Sequence, residues 1–254
     1  MALLVLSGSV AAAQRPLVPA ETPGAPPAHY PQPGAAAEAL TSLGILDPGR
    51  AEWRWRLAIA LMDMAKVLPD ARRVERDSLY ALSVAAAQAA IRLDQNGAQG
   101  HFALAAALGR ASLTRGSRDR VRDAATIRRA LLRALELNPS HDGAWHVLGR
   151  WHAEIMRLSE LSRFMARRLL GGAVLGEASW DRATRALEQA VSLRPEWIYH
   201  RLDLAEVLIE ANRPGDAVPH LEAIALLPSV DPLDDGYRDA AASLLRGIRS
   251  RKAP

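Results

Sequence analysis

The chain has 254 residues, of which 49% are hydrophobic and 24% charged, and it contains no cysteine. This composition can supply a buried core, and the missing cysteines exclude disulfide scaffolds, thiolate metal sites and thiol nucleophiles. The formal net charge of +4 is carried almost entirely by arginine, and this balance alone does not indicate nucleic-acid binding, so no nucleic-acid partner is expected.

Residues 1–13 have the pattern of a secretory signal peptide. An apolar run at residues 2–10 is followed by three alanines, where a signal peptidase would cleave, although the usual positive charges before the run are missing. The alternative is a frayed apolar N-terminus. We predict an exported chain, periplasmic or secreted, and not an integral membrane protein, because no apolar run reaches the length of a membrane-spanning helix.

Residues 14–37 are rich in proline and alanine, with seven prolines before residue 35. Proline at this density cannot support helix or sheet hydrogen bonding and favours extended chain. We therefore predict a disordered tether over residues 14–37.

From residue 38 to residue 250, apolar residues recur at helical spacing, with Gly, Pro and Asn between the segments. Similar helix ends recur at residues 90–94, 134–139 and 190–195, and a looser one at residues 224–228. The recurrence predicts an all-α, right-handed solenoid of about four helix pairs, with inserted helices and a C-terminal capping helix over residues 235–248. Residues 251–254 are expected to be a tail.

The third helix pair carries the most specific pattern. It resembles the tetratricopeptide repeat (TPR), in which small residues let two helices approach closely, large ones fill the seam and a proline ends the second helix. Six of the eight signature positions carry the typical residue, and His152 stands where tyrosine is usual. The signature positions are Trp145, Leu148, Gly149, His152, Ala183, Leu187, Ala190 and Pro195.

The run from His146 to Ser159, the Arg/Leu-rich helix after it, the glycine pair at 171–172 and Trp197 resemble the regulator of microtubule dynamics family. The resemblance covers about residues 88–227 and implies a TPR-like fold. Animal members are associated with microtubules, mitochondria and organelle contacts, and a lipid-binding TPR domain has been assigned to one of them. An exported, bacterial-type member would meet no microtubules, so the resemblance implies fold and ancestry only.

No motif for catalysis or cofactor binding is found, whether a phosphate-binding loop, a nucleophile elbow or a zinc-binding helix. The sequence His152-Ala153-Glu154 lacks a second histidine four residues after the first, and His152 is expected to pack in the core. We therefore expect no catalytic residue, no cofactor and no metal, and a protein that is not an enzyme.

Function is expected on the concave face, which the first helix of each pair lines at helical spacing. The candidate contacts there are Trp55, Phe102, His146, Arg150, Glu154, Tyr199, Leu202 and Glu206. An apolar groove with aromatic anchors predicts a scaffold or adaptor for a protein or peptide partner, not yet identified. The alternative is a lipid or acyl-chain carrier whose groove is closed by an insertion at residues 157–178. A peptide site needs polar groups such as His146 and Arg150 for the peptide backbone, whereas a carrier needs a dry tunnel. The insertions could also fold in and bury these residues.

The insertion at residues 157–178 combines leucines and a methionine at helical spacing with four arginines. A basic amphipathic helix of this kind can lie on a lipid or anionic membrane surface. It can equally pack its apolar stripe on the neighbouring repeat, which is the interpretation we favour because repeat insertions also need burial.

Overall fold

The computed structural model describes residues 33–112, 116–169, 172–231 and 233–252. Within these ranges it contains eleven α-helices and no β-strand, which confirms the all-α prediction. The helices are α1 (Pro33–Leu46), α2 (Ala51–Lys66), α3 (Arg73–Leu93), α4 (Ala98–Ala111), α5 (Ser117–Leu137), α6 (Asp142–Arg157), α7 (Glu160–Leu169), α8 (Trp180–Leu193), α9 (Ile198–Glu210), α10 (Pro214–Ile224) and α11 (Asp234–Lys252).

The helices pack as four successive pairs, α2 with α3, α4 with α5, α6 with α8, and α9 with α10. The second helix of each pair packs on the first helix of the next pair, and the first helices α2, α4, α6 and α9 also contact one another in order. This is the predicted solenoid, with the first helices along one side. Helix α11 packs on α9 and α10 and caps the last pair, as predicted.

The close approach of two helices is clearest at Gly149 in α6. A Cβ atom at this position would lie 2.5 Å from the Cγ atom of Leu187 and 3.0 Å from the carbonyl oxygen of Ala183, both in α8. Ala183 and Leu187 are fully buried. Only a residue without a side chain permits this separation of α6 and α8.

Helix α1 is a feature that the sequence prediction placed differently. Its first five residues, 33–37, belong to the segment predicted as tether, yet they are helical and bury Ala36 and Ala37. A proline at the first position of a helix is compatible with helix formation, and the alanines after it favour it. The signal predicted for residues 1–13 and the rest of the tether lie outside the described residues.

The third insertion forms α7 and a 3-10 turn at Ala173–Glu177. Ala166 of α7 and Leu175 of the turn are buried in one cluster with Val121 of α5. Leu161, Phe164 and Met165 of α7 remain exposed. The expected packing of the apolar stripe on the neighbouring repeat is therefore only partial.

Candidate functional site

A cavity of about 780 Å³ lies along the first helices of the four pairs. Its walls come from α2, α4, α6 and the start of α9, together with the first turns of α5, residues 230 and 231 and the first turn of α11. The insertion also contributes, because Leu161, Ser162 and Met165 of α7 line the cavity. The predicted groove contacts that line it are Phe102, His146, Arg150, Glu154 and Tyr199.

Three of the predicted groove contacts do not line this cavity. Trp55 is 8% exposed and lies in a buried cluster with Leu40 of α1, the helix that the sequence did not predict. Leu202 is 5% exposed and lies in a buried cluster with Ala241 of α11. The helices at the two ends of the solenoid therefore account for both corrections. Glu206 lies just outside the cavity, 3.9 Å from the guanidinium of Arg150.

Asp203 of α9 holds the polar side chains of α6 in place. Nε2 of His146 donates to one carboxylate oxygen of Asp203 at 2.6 Å, and Nη1 of Arg150 donates to the other at 2.6 Å. Arg150 also donates to Glu154 of its own helix at 3.2 Å. His146 and Arg150, which were predicted to hydrogen-bond a peptide backbone, therefore already donate to the buried Asp203. Sequence reasoning missed Asp203 because it does not stand at a groove-facing position of the repeat.

The charge states in this cluster follow from burial and pairing. Burial lowers the pKa of His146 to about 4, and the hydrogen bond to Asp203 only partly opposes that effect. Burial also acts against the charged form of Asp203, but the hydrogen bonds from His146 and Arg150 outweigh it and lower the pKa of Asp203. At neutral pH the cluster thus contains a neutral histidine, a carboxylate and a guanidinium.

A second polar group joins the start of α6 to α9. Nε2 of His200 lies 3.1 Å from a carboxylate oxygen of Asp142, and the guanidinium of Arg194 lies 3.8 Å from the same oxygen. The ring of His200 stacks on that of His146 at a centroid distance of 4.7 Å. The third and fourth pairs are therefore joined by a group of polar side chains that form part of the cavity wall.

The two ends of the solenoid meet at Lys66. Its ammonium group lies 3.0 Å from Asp231, in the segment before α11, and 3.2 Å from Asp63 of its own helix. Burial acts against the charged form, but the two carboxylates raise the pKa of Lys66 overall. This contact joins positions 165 residues apart and closes one side of the cavity.

Arg110 of α4 differs from these paired charges. It lines the cavity, and within the described part of the chain its side chain has no carboxylate in ion-pair contact. Its Nη2 lies 3.4 Å from the hydroxyl of Tyr199, whose ring stacks on that of Tyr237 at 5.3 Å. Arg110 occupies the same repeat position as Glu154, and that correspondence could have identified it from the sequence.

His152, the first residue of the zinc-like triplet, is 5% exposed and packs edge-on against Trp151 with ring centroids 5.0 Å apart. Burial lowers the pKa of His152 to about 4. Among residues 33–112, 116–169, 172–231 and 233–252, no group of three or more acidic or histidine side chains could hold a metal ion. No helix in the described ranges is both long and apolar enough to cross a bilayer.

Comparison with known proteins places this geometry in a family. The thermophilic TPR protein TTC0263 of Thermus thermophilus superposes with a TM-score of 0.60 at 18% identity, covering 84% of this chain and 91% of that protein. The structure of MamA aligns with a TM-score of 0.43 at 16% identity, covering 85% of this chain and 90% of that one. The first similarity confirms the TPR-like fold.

Sequence relatives agree with the fold. Regulator of microtubule dynamics protein 3 of Xenopus laevis is 29% identical over 118 residues, which are 46% of this chain and 25% of that relative. The match therefore spans about a quarter of that relative's length. Residues 32–249 match the family model described as regulator of microtubule dynamics protein 1-3. The chain belongs to the regulator of microtubule dynamics protein 1-3 family.

Proposed function

We propose that this chain is a non-enzymatic binding protein that holds an acyl chain, as part of a lipid or fatty acid, in the cavity along its first helices. The observation that carries the proposal is the pairing of His146 and Arg150 with Asp203. These are the polar groups that an extended peptide would need, and they are already bonded within the protein.

The walls favour an apolar ligand. Ile59, Met62, Phe102, Leu161 and Met165 line the cavity, together with charged side chains. Ligand cavities of about 300–1,000 Å³ with apolar walls and a few polar groups are typical of small-molecule sites. The volume of about 780 Å³ lies within that range and suits a flexible chain.

Arg110 would set the orientation of the ligand in the cavity. A guanidinium without a carboxylate partner at the wall of a cavity would bind a carboxylate or phosphate group through charged hydrogen bonds. The hydroxyl of Tyr199 at 3.4 Å can join the same group. We therefore place the acidic end of the ligand at Arg110 and its chain along Phe102 and Met165.

The alternative function is that of a TPR scaffold, which would bind a protein or peptide partner in its groove. Peptides recognised in an extended form rely on hydrogen bonds to their backbone. Among the predicted groups, Glu154 accepts from both Arg150 and Arg157, so it too is engaged. These internal bonds support the acyl-chain ligand over the peptide.

Native mass spectrometry with lipid extraction tests the proposal on the full chain purified without detergent. We expect a stoichiometric ligand with an acyl chain and an acidic group. A chain that elutes without ligand and does not bind a fluorescent fatty acid would contradict the carrier. A co-purified peptide would favour the scaffold that binds a protein or peptide partner.

A matched pair of variants places the ligand. Gly109 lines the cavity and Gly247 lies on α11 outside it, and a Cβ atom at either position would meet no atom within 4 Å. Gly109→Trp should fill the cavity and reduce fatty-acid binding at least tenfold, whereas Gly247→Trp should leave binding unchanged. Equal affinities for the two variants would place the ligand elsewhere.

We also propose that residues 1–13 direct export, so that the mature chain begins at Gln14. N-terminal sequencing of the protein from its native compartment tests this. A chain that retains residues 1–13 would contradict it.

A further inference from the structure

Helix α7 exposes a compact apolar face. Leu161, Phe164 and Met165 are 70%, 55% and 43% exposed, and their spacing of three and one residues places them on the same side of the helix. Three large apolar side chains thus face outward within a helix of ten residues. Among the described side chains of this helix the buried one is the small Ala166, which lies on the side opposite the exposed face.

Arginines surround this face. On α7 itself Arg167 and Arg168 are exposed, and the guanidinium of Arg168 lies 6.0 Å from the ring centre of Phe164. Glu160 is the one acidic residue of the helix. Neither Arg167 nor Arg168 pairs with a carboxylate among the described residues. The charge of these side chains is therefore available to an anionic surface.

The first turn of α5 adds to the same positive region. Arg118 and Arg120 are exposed and, within the part of the chain that the structure describes, have no ion pair. Val121 beside them lies in one buried cluster with Ala166 of α7. Arg120 also lines the cavity together with Leu161 and Met165, so α5 places an arginine beside the apolar face of α7.

This region lies at the edge of the cavity. Leu161 and Met165 line the cavity although they are exposed, and Arg120 lines it from α5. A surface that the apolar face of α7 contacts would therefore be continuous with the cavity interior.

We propose that the exposed face of α7 docks on an anionic lipid bilayer and presents the cavity opening to it. Leu161, Phe164 and Met165 enter the boundary between headgroups and acyl chains, and the arginines of α5 and α7 contact the anionic headgroups. This inference rests on the proposed function in one respect, because an acyl-chain carrier must exchange its ligand with a membrane. The charge complementarity selects a bilayer over a second copy of this chain, which would bring the same arginines together.

Co-sedimentation of the full chain with vesicles tests the docking. We expect binding to phosphatidylcholine vesicles that contain phosphatidylserine, weaker binding to phosphatidylcholine alone, and a loss of binding at high salt because exposed charges are screened. Absence of binding to the anionic vesicles at low salt would overturn the proposal.

Two variants locate the contact, each with a matched control. Phe164→Glu should reduce anionic-vesicle binding at least tenfold, whereas Leu226→Glu, at a position 87% exposed beyond α10, should not. The double variant Arg167→Glu/Arg168→Glu should lose at least tenfold, since each basic residue near an anionic surface contributes to binding. Its control is Arg246→Glu/Arg251→Glu on α11, two exposed arginines. Equal losses in variants and controls would overturn the docking surface.

The outcomes separate the two proposals. One outcome is that an acyl-chain ligand co-purifies and that the α7 variants bind vesicles as well as the unchanged chain does. This outcome would support the carrier and overturn the docking surface. Vesicle binding that depends on α7, in a chain that holds no ligand, would support the docking surface and contradict the carrier. A concentration-dependent dimer that Phe164→Glu abolishes would assign the face to a second copy and overturn the bilayer.

Discussion

Replacement of Gly149 by alanine tests the packing on which the whole repeat depends. The new Cβ atom would lie 2.5 Å from Cγ of Leu187 and 3.0 Å from the carbonyl oxygen of Ala183. Carbon atoms in contact are normally about 3.5–4.0 Å apart, so the new methyl group would overlap Leu187 by about 1 Å or more. Neither neighbour can rotate away, because one is a branch point of a fully buried side chain and the other is backbone.

Two effects of opposite sign determine how Gly149→Ala changes the free energy of unfolding. Overpacking of a filled core costs about 1–3 kcal/mol. Alanine in a helix interior is about 1 kcal/mol more favourable than glycine. Because the overlap is large and both neighbours are fixed, we place the cost near the upper value and expect a net loss of about 1–2 kcal/mol.

Urea and thermal unfolding followed by circular dichroism measure this loss. A chain of this size should lose roughly 2–4 °C of melting temperature per kcal/mol. The control is Gly247→Ala on α11, where the new methyl group meets nothing within 4 Å. There the helix preference acts alone, and stability should rise by about 0.5–1 kcal/mol. Stabilisation of both variants would refute the close packing of α6 on α8.

Three further predictions concern the polar contacts. The free energy of unfolding should fall as the pH drops from about 6.5 towards 4. In this range His146 binds a proton in the unfolded chain but not in the folded one, because burial lowers its native pKa to about 4. That pKa difference corresponds to ~3 kcal/mol at pH 4 and below, and urea midpoints that do not change between pH 7.5 and 5 would contradict it. Asp203→Asn should cost about 2–3 kcal/mol in urea unfolding, because Arg150 and His146 lose the buried carboxylate to which both donate. The exposed control Asp216→Asn should cost less than about 0.5 kcal/mol. Lys66→Met should speed amide hydrogen exchange in the segment before α11, which Lys66 contacts at 3.0 Å, and unchanged exchange there would show that the ion pair does not hold the ends together.

The sequence predicted the solenoid well because its periodic signal comes from packing inside each pair. Gly149, Ala183 and Leu187 meet within one repeat, so their spacing along the chain reports directly on contact between two helices. Helix α1 escaped prediction because it has no partner within a repeat and begins at Pro33, directly after a proline-rich segment. Its burial depends on Trp55, which a local pattern does not reveal.

The groove rule identified a cavity residue in the last pair, Tyr199, as well as in the two middle pairs. The groove positions of the middle pairs, Phe102 and His146 among them, do line the cavity. The same rule failed for Trp55 and Leu202, since α1 and α11 add helices at the ends that an internal repeat lacks. Rules derived from a repeating unit describe the interior of an array, and its ends are set by additional contacts.

Charge in the cavity shows why residue type alone could not assign function. Arg150 and Arg110 both stand on first helices and both line the cavity, yet Arg150 donates to Asp203 at 2.6 Å while Arg110 meets only a tyrosine hydroxyl among the described side chains. Arg150 and Arg110 differ because of the neighbouring repeat. Asp203 of α9 supplies a carboxylate to Arg150 of α6, and no described carboxylate does the same for Arg110 of α4. A paired arginine stabilises the packing of neighbouring repeats, whereas the exposed guanidinium of Arg110 at the cavity wall keeps donors that a bound anion could accept from. The exposed Arg167 and Arg168 of α7 likewise have no ion pair with a described carboxylate. Under the proposed acyl-chain function, Arg110 and Arg120 are the arginines without a described ion pair that line the cavity, so they are the groups that would contact the acidic end of the ligand.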